Sequence, residues 1–196
     1  MNRTHSPAQA SRQPTRTHDN PLPDYLRPGL DVVFVGINPG LASAAKGRHY
    51  AGPGNHFWPL LREAGFVPGA FGYEDDARVL EHNIGLTNLV ERPSRGLADL
   101  SREELRTGAA RLREKLREFR PRVVCFNGKA IYEAFIDGRC VFGRQAERLA
   151  AGLRGAEGAV LFVMPSTSAR TAAYQRDDKL RFFLELKCIV EREATR

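Results

Sequence analysis

One amide side chain, Asn38, stands between two glycines and before a proline in the run Gly36-Ile37-Asn38-Pro39-Gly40. Glycines at both ends permit close backbone approach and unusual dihedrals. Pro39 biases Asn38 towards an extended conformation, which aims the side chain outward. An amide both donates and accepts hydrogen bonds, so it can hold a polar ligand or a water. Taken alone, the run also reads as an ordinary strand-to-loop turn. The next stretch adds weight. From Lys46 to Trp58, the sequence KGRHYAGPGNHFW interleaves cations, aromatics and glycines over a single short segment. Aromatic platforms flanked by cations are how proteins hold nucleobases. Tyr50, in the glycine-rich part, is the aromatic to expect at a ligand. Phe57 and Trp58 fall on a helix and are read as core, and His49 and His56 as residues that either meet the ligand or hydrogen-bond within the loop.

Two common nucleotide motifs are excluded. The G-x-G-x-x-G spacing of a dinucleotide fingerprint does not occur around Gly36. Gly128-Lys129-Ala130 lacks both the glycine five positions earlier, where Val123 stands, and the following Ser or Thr of a Walker loop.

The elements that must carry these residues alternate. Asp31 to Val35 is β-branched and aromatic and reads as a buried strand; Asn55 to Ala64 reads as a helix capped by Asn55 and stopped by Gly65. Ser101 to Phe119 is the clearest helix, opened by a Ser101/Glu104 capping box, with Leu105, Ala109, Leu112, Leu116 and Phe119 on one face. Val123–Phe126 and Ala159–Met164 read as buried strands. A helix carrying Ile131, Tyr132 and Phe135 follows Asn127-Gly128, and a last helix covers Thr171 to Glu191 with Phe182, Leu186, Ile189 and Val190 inward. This alternation predicts an α/β fold of three layers, α/β/α, about a mainly parallel sheet. Ligands of such sheets bind beyond the carboxyl ends of the strands, so Gly36–Gly40 and Pro165–Arg170 are expected to face one cleft.

Length and composition bound the rest. At 196 residues the chain suits one domain over 22–196, preceded by a disordered basic tail over 1–21. The tail has a faint transit-peptide character, with Arg3, Arg12 and Arg16 and no acid before Asp19, but Pro7 and Pro14 interrupt it. Net charge is +7, of which the first 24 residues carry only +1, so the basic excess belongs to the domain and suggests a polyanionic partner. An Arg-rich solvated surface is the plainer reading of the same charge. No apolar run nears the ~20 residues that span a bilayer, so no membrane partner is expected. Cys125, Cys140 and Cys188 are widely spaced without a C-x-x-C pair, which implies no metal site. Cys125 and Cys188 are read as inert core thiols.

These segments, taken together, resemble the mismatch-specific uracil and thymine DNA glycosylases of the uracil-DNA glycosylase superfamily. The matching runs are Gly36–Leu41, Lys46–Tyr50, Pro53–Trp58, Gly85–Arg92, Phe126–Lys129 and Met164–Arg170, spread over nearly the whole domain. The resemblance implies a uracil-DNA glycosylase-like fold, no cofactor, and a monomer acting on double-stranded DNA with a mismatched or damaged pyrimidine. It places Asn38 as the residue that positions the attacking water, supporting departure of the base rather than acting as a strong general base. Tyr50 matches the aromatic that stacks on a flipped base, with backbone amides near Ile37 and Tyr50 on its carbonyl oxygens. Asn88 and His49 follow the thymine-active branch, whereas Ser43 looks like the uracil-specific one, so thymine excision stays open. Ser166, Thr167, Ser168, Ala169 and Arg170 match the loop that enters the duplex, with Arg170 as the inserted side chain or as a phosphate contact. Lys129 is a DNA-backbone contact or a surface cation, and Glu91 a second carboxylate or a structural partner of an Arg. The expected location is the bacterial cytoplasm at the nucleoid, or a eukaryotic nucleus. A non-catalytic mismatch or damage binder is the alternative; a small-molecule glycosidase lacks the expected pair of carboxylates.

Overall fold

The computed structural model describes residues 21–146, 158–171 and 173–195. The tail expected over 1–21 lies, except for residue 21, outside them. Among the described residues a five-stranded sheet forms from β1 (Val32–Gly36), β2 (Ile84–Asn88), β3 (Val123–Asn127), β4 (Gly143–Arg144) and β5 (Val160–Met164), in the order β2-β1-β3-β5-β4. All neighbours run parallel except β4, which pairs antiparallel with β5.

The strands lack polar alternation because both faces are covered. Along β1, Val32 and Phe34 enter one core cluster while Val33 and Val35 enter the other; along β3, Val123 and Cys125 separate from Val124 and Phe126 in the same way. Side chains of a strand alternate between faces, so an apolar run with no break is what two cores require. The first face is closed by α2 (Phe57–Glu63) and α5 (Arg176–Ala194), through Phe57, Leu60, Leu61, Phe183 and Leu186. The second is closed by α3 (Arg102–Phe119) and α4 (Lys129–Ile136), through Ala109, Leu112, Leu116, Ile131 and Phe135. The three-layer α/β/α expectation therefore holds.

The short helix α1 (Leu41–Lys46) follows β1, and a 3₁₀ segment, Tyr73–His82, leads into β2. The sequence pattern did not mark β2. It carries a glycine and an asparagine, both poor strand formers. Gly85 is there for close approach: a Cβ on it would lie 2.9 Å from the Tyr25 carbonyl oxygen and 2.7 Å from Leu30. Tyr25 and Leu86 exchange two backbone hydrogen bonds, which gives β2 its outer partner.

Other expectations shift at their edges. The Ser101/Glu104 capping box is present in both directions, with the Glu104 amide donating to Ser101 Oγ over 3.1 Å and the Ser101 amide to Glu104 over 2.9 Å. The N-cap of α2 is His56 and not the expected Asn55, whose Oδ1 accepts from the Phe57 amide over 3.0 Å in the turn before the helix; α2 is also shorter than the expected Asn55–Ala64. The last helix begins at Arg176 rather than Thr171, and its start is marked by the Gln175 amide donating to Asp178 Oδ2 over 3.1 Å across the first turn. Its inward face carries Phe183; Phe182 is half-buried against Phe142 and Phe162. Cys188 is exposed, contrary to the core reading, whereas Cys125 is fully buried. The helical period explains this: residue 188 falls between the buried positions Leu186, Ile189 and Val190.

Candidate active site

Four parallel strands end side by side at one edge of the sheet. Gly36 is in register with Asn88, and Asn127 with Met164. The chain leaving these ends walls a cleft of about 970 Å³, which includes Asn38, Tyr50, Asn88, Asn127 and the segment Pro165–Thr171. The two regions expected to face one cleft do so.

Asn38 is fixed by its nitrogen. Nδ2 donates to Ser94 Oγ over 2.8 Å, to the Arg92 carbonyl over 3.1 Å and to the Pro39 carbonyl over 3.2 Å. Carbonyl oxygens only accept, so these partners set which way the amide points. Its Oδ1 makes no hydrogen bond among the described residues and remains the free acceptor of a cleft-lining side chain. Ser94 is buried, and its Oγ donates to the Gly96 carbonyl over 2.9 Å. That orients the hydroxyl so its lone pairs accept from Asn38 Nδ2 and from the Gly96 amide. The segment is clamped from outside. Arg92 donates from Nε to Glu104 over 2.6 Å and from a terminal nitrogen over 3.2 Å, and Glu104 is the capping-box residue of α3. Hydrogen bonding to the Arg92 guanidinium, then to the Ser101 amide, pushes the Glu104 carboxyl down to about 2.

Tyr50 holds a left-handed backbone conformation, φ +53°, rare for a residue with a bulky side chain. Such strain persists where the surroundings over-determine it. Here the flanking groups are all tied. The His49 amide donates to buried Asp76 over 2.8 Å, Arg48 pairs with the same carboxylate at 2.7 Å, the His49 carbonyl accepts from Trp58 Nε1 over 2.9 Å, and the Ala51 amide donates to Ser43 Oγ over 3.0 Å. One face of the Tyr50 ring stacks on Phe57 at 3.8 Å and 18°. The hydroxyl is buried without a partner among the described residues, and burial pushes its pKa up, so the phenol stays neutral. Gly36 makes room: a Cβ there would lie 2.4 Å from Asn88 Oδ1 and 3.3 Å from the Tyr50 hydroxyl.

The remaining expected residues divide into those that line the cleft and those that hold its walls. Asn88 is half-buried at the end of β2 and lines the cleft. The Ile37 carbonyl accepts from the Val90 amide over 2.9 Å, which fixes the backbone beside Asn38. Ser43 lines the cleft, but its hydroxyl serves the Ala51 amide. The His49 ring is buried, with Nε2 2.8 Å from the Pro23 carbonyl, and burial lowers its pKa so it is neutral; Nε2 therefore carries the proton. Thr167 is fully buried. Its amide donates to Asn127 Oδ1 and its Oγ1 accepts from Asn127 Nδ2, both over 2.9 Å, and its carbonyl accepts from the His56 amide over 3.0 Å. Thr167 is thus the foot of its loop and is closed to solvent, whereas Ala169 and Arg170 at the tip are exposed. Ser166 and Ser168 are half-buried between them. Lys129 lines the cleft with Nζ 4.4 Å above the Phe142 ring. Glu91 pairs with Arg111 at 3.5 Å and Lys115 at 3.7 Å and is not part of the cleft wall, which is the structural-partner reading.

Sequence reasoning overlooked Ser94, Arg92, Asp76 and Asn127 as parts of the site. Asn127, before a glycine at a strand end, carried the same local signal as Asn38. The others carried none, since Ser94 lies 56 residues from Asn38 and Asp76 27 from His49.

The Uracil DNA glycosylase superfamily profile matches residues 23–187, a span that contains every residue lining this cleft except Leu22. The chain belongs to that superfamily. A Schizosaccharomyces pombe protein named G/U mismatch-specific uracil DNA glycosylase is 37% identical over 169 residues, which is 81% of this chain and 50% of the relative. This chain therefore spans about half the length of that curated relative. The solution NMR structure of a candidate uracil DNA glycosylase from Methanosarcina acetivorans shares the fold, with a TM-score of 0.59 over 89% of this chain and 98% of that one, at 24% identity. Within this superfamily fold, Asn38, Tyr50, Asn88 and the 165–171 loop line one cleft.

Proposed function

We propose that the protein is a monofunctional DNA glycosylase that hydrolyses the N-glycosidic bond of uracil in G-mismatched double-stranded DNA. Thymine or modified pyrimidines are further candidate bases. The observation that carries this reading is the fixed amide of Asn38: with Nδ2 held by three acceptors, Oδ1 is left as a preset acceptor at the cleft. An acceptor held in advance orients a water without reorganising during the reaction. It cannot take the proton outright, so departure of the base must lead and the water follows. Tyr50, backed by Phe57, offers its other face as a stacking surface for an extruded pyrimidine. The neutral phenol and the neutral His49 place no full charge against that ring. The exposed tip at Arg170 would fill the gap left in the duplex. The mismatch named for the fission-yeast relative supports a G·U substrate. The protein would act as a monomer in the compartment that holds the DNA.

Base release from duplexes with G·U, G·T or A·U pairs tests this, with wild type and Asn38→Ala side by side. Wild type is expected to release uracil from G·U and the variant to lose most of that rate. No release from any duplex by wild type overturns the enzyme reading, and tight mismatch binding without release would support a binding protein instead.

A further inference from the structure

Lys179 is a buried charge that the reading above leaves unused. It projects from α5, is 2% exposed, and its Nζ lies 3.4 Å from the Ser168 carbonyl oxygen and 3.4 Å from that of Thr171. Among the described residues Lys179 makes no ion pair with a carboxylate, and burial lowers its pKa. An ammonium buried against neutral carbonyls gives up hydration that they only partly replace, and an apolar side chain of the same length is often no worse for stability. The two carbonyls it reaches are not arbitrary. Ser168 and Thr171 are the first and last residues of the turn that carries Ala169 and Arg170, and the Thr171 amide closes that turn onto the Ser168 carbonyl over 3.1 Å. Inside it, the Ser168 amide donates to Ser166 Oγ and the Arg170 amide to Ser168 Oγ, both over 3.3 Å. These are long bonds on an exposed tip. By themselves they leave the turn weakly defined.

We propose that Lys179 is a positioning residue, whose ammonium clasps the two ends of the Ser168–Thr171 turn and holds Arg170 ready to enter the duplex. This rests on the reading of residues 166–170 as the segment that penetrates DNA. Extrusion of a nucleotide costs a few kcal/mol, and a wedge ordered beforehand adds no further ordering entropy to that step. Lys179 touches neither DNA nor base; it acts through Arg170. Its effect is therefore confined to substrates in which a stacked pair has to be opened.

The test uses full-length protein and a G·U duplex with 2-aminopurine beside the deoxyuridine, whose fluorescence rises on unstacking. Wild type, Lys179→Met, Arg170→Ala and the double variant are compared, together with single-turnover release of uracil from a single-stranded oligonucleotide. Lys179→Met is expected to lower both the fluorescence rise and duplex excision a few-fold, no more than Arg170→Ala does, and to leave single-strand excision unchanged. The double variant should match Arg170→Ala alone, because both changes remove the same wedge. Equal losses on duplex and single strand would make Lys179 a general fold residue and overturn the proposal, as would additive losses in the double variant. If Arg170→Ala lowers the fluorescence and Lys179→Met does not, the anchor fails while the loop reading stands. If Arg170→Ala changes neither readout, the loop reading fails and the anchor falls with it.

Discussion

In one part of the cleft wall Asn38 is held by two backbone carbonyls and a serine hydroxyl, all neutral and all within 3.2 Å. In another, the Ser168–Thr171 turn lies over a single buried ammonium, 3.4 Å from each carbonyl. The foot of that turn is firm, since Thr167 exchanges two hydrogen bonds of 2.9 Å with Asn127; its tip is exposed. A group that orients a water must be fixed before substrate arrives. A group that enters a stacked duplex must be ordered and yet reach out of the fold. The difference in how the two are held fits the tasks proposed for Asn38 and Arg170, and it can be broken one contact at a time.

The largest effect is expected at Asn38. Asn38→Ala should reduce the rate of uracil release by about 10²–10³, the usual loss when one preorganised polar group is removed. The reduction should be the same on duplex and single strand, while affinity for a G·U duplex changes little; a loss confined to duplex DNA would move Asn38 out of the chemistry. Asn127→Ala comes next, and its effect is on stability. It strands the amide and hydroxyl of buried Thr167, a cost of about 2 kcal/mol in thermal or urea unfolding, and a change near zero would mean that the loop foot is held by other contacts.

Ser94→Ala leaves Asn38 with its two carbonyl partners only. A fall of about tenfold in kcat with KM unchanged is expected, and Ser94→Thr, which keeps the hydroxyl, should restore most of it. Arg170→Ala should cost a few-fold, and more on A·U than on G·U, because a wedge matters most where the pair is well stacked. An equal loss on both would remove the wedge role and favour a phosphate contact.

The smallest effect concerns the outer clamp. The folded-state pKa of Glu104, about 2, lies below its ordinary 4.5, with the Arg92 hydrogen bonds as the main cause. A carboxylate with a depressed pKa contributes stability above pH 4.5 that is lost as pH falls towards 2. Glu104→Gln should flatten the acid limb of the melting-temperature profile between those values. The change will be slight, since the pair is solvent-exposed and screened. An unchanged acid limb would show that the Arg92–Glu104 pair adds nothing to the wall behind Asn38.

Much of this site could be read from the chain. The run Asp31 to Val35 reads as a buried strand, and β1 (Val32–Gly36) is buried on both faces because an apolar run with no polar alternation has no solvated side. The capping box at Ser101 fixed where α3 starts. The order of segments from Gly36 to Arg170 then pointed to a superfamily whose profile spans residues 23–187. Local sequence is also enough to see that Asn38 and Tyr50 are unusual, because glycine, proline and aromatic residues seldom crowd a loop without a ligand.

What the sequence could not hold was the identity of the partners. Ser94 meets Asn38 across 56 residues, Asp76 holds the His49 amide from 27 residues away, and Lys179 reaches the Ser168–Thr171 turn from the following helix. None of these carries a local signature, since a serine, an aspartate and a lysine suit any polar surface. Thr167 shows the reverse, reading as an exposed loop residue until Asn127 is seen to close over it. Periodicity and turn chemistry are short-range properties, and they determine which elements form. Which polar side chain loses water, and to which distant partner, is decided only when the sheet sets its strand ends side by side.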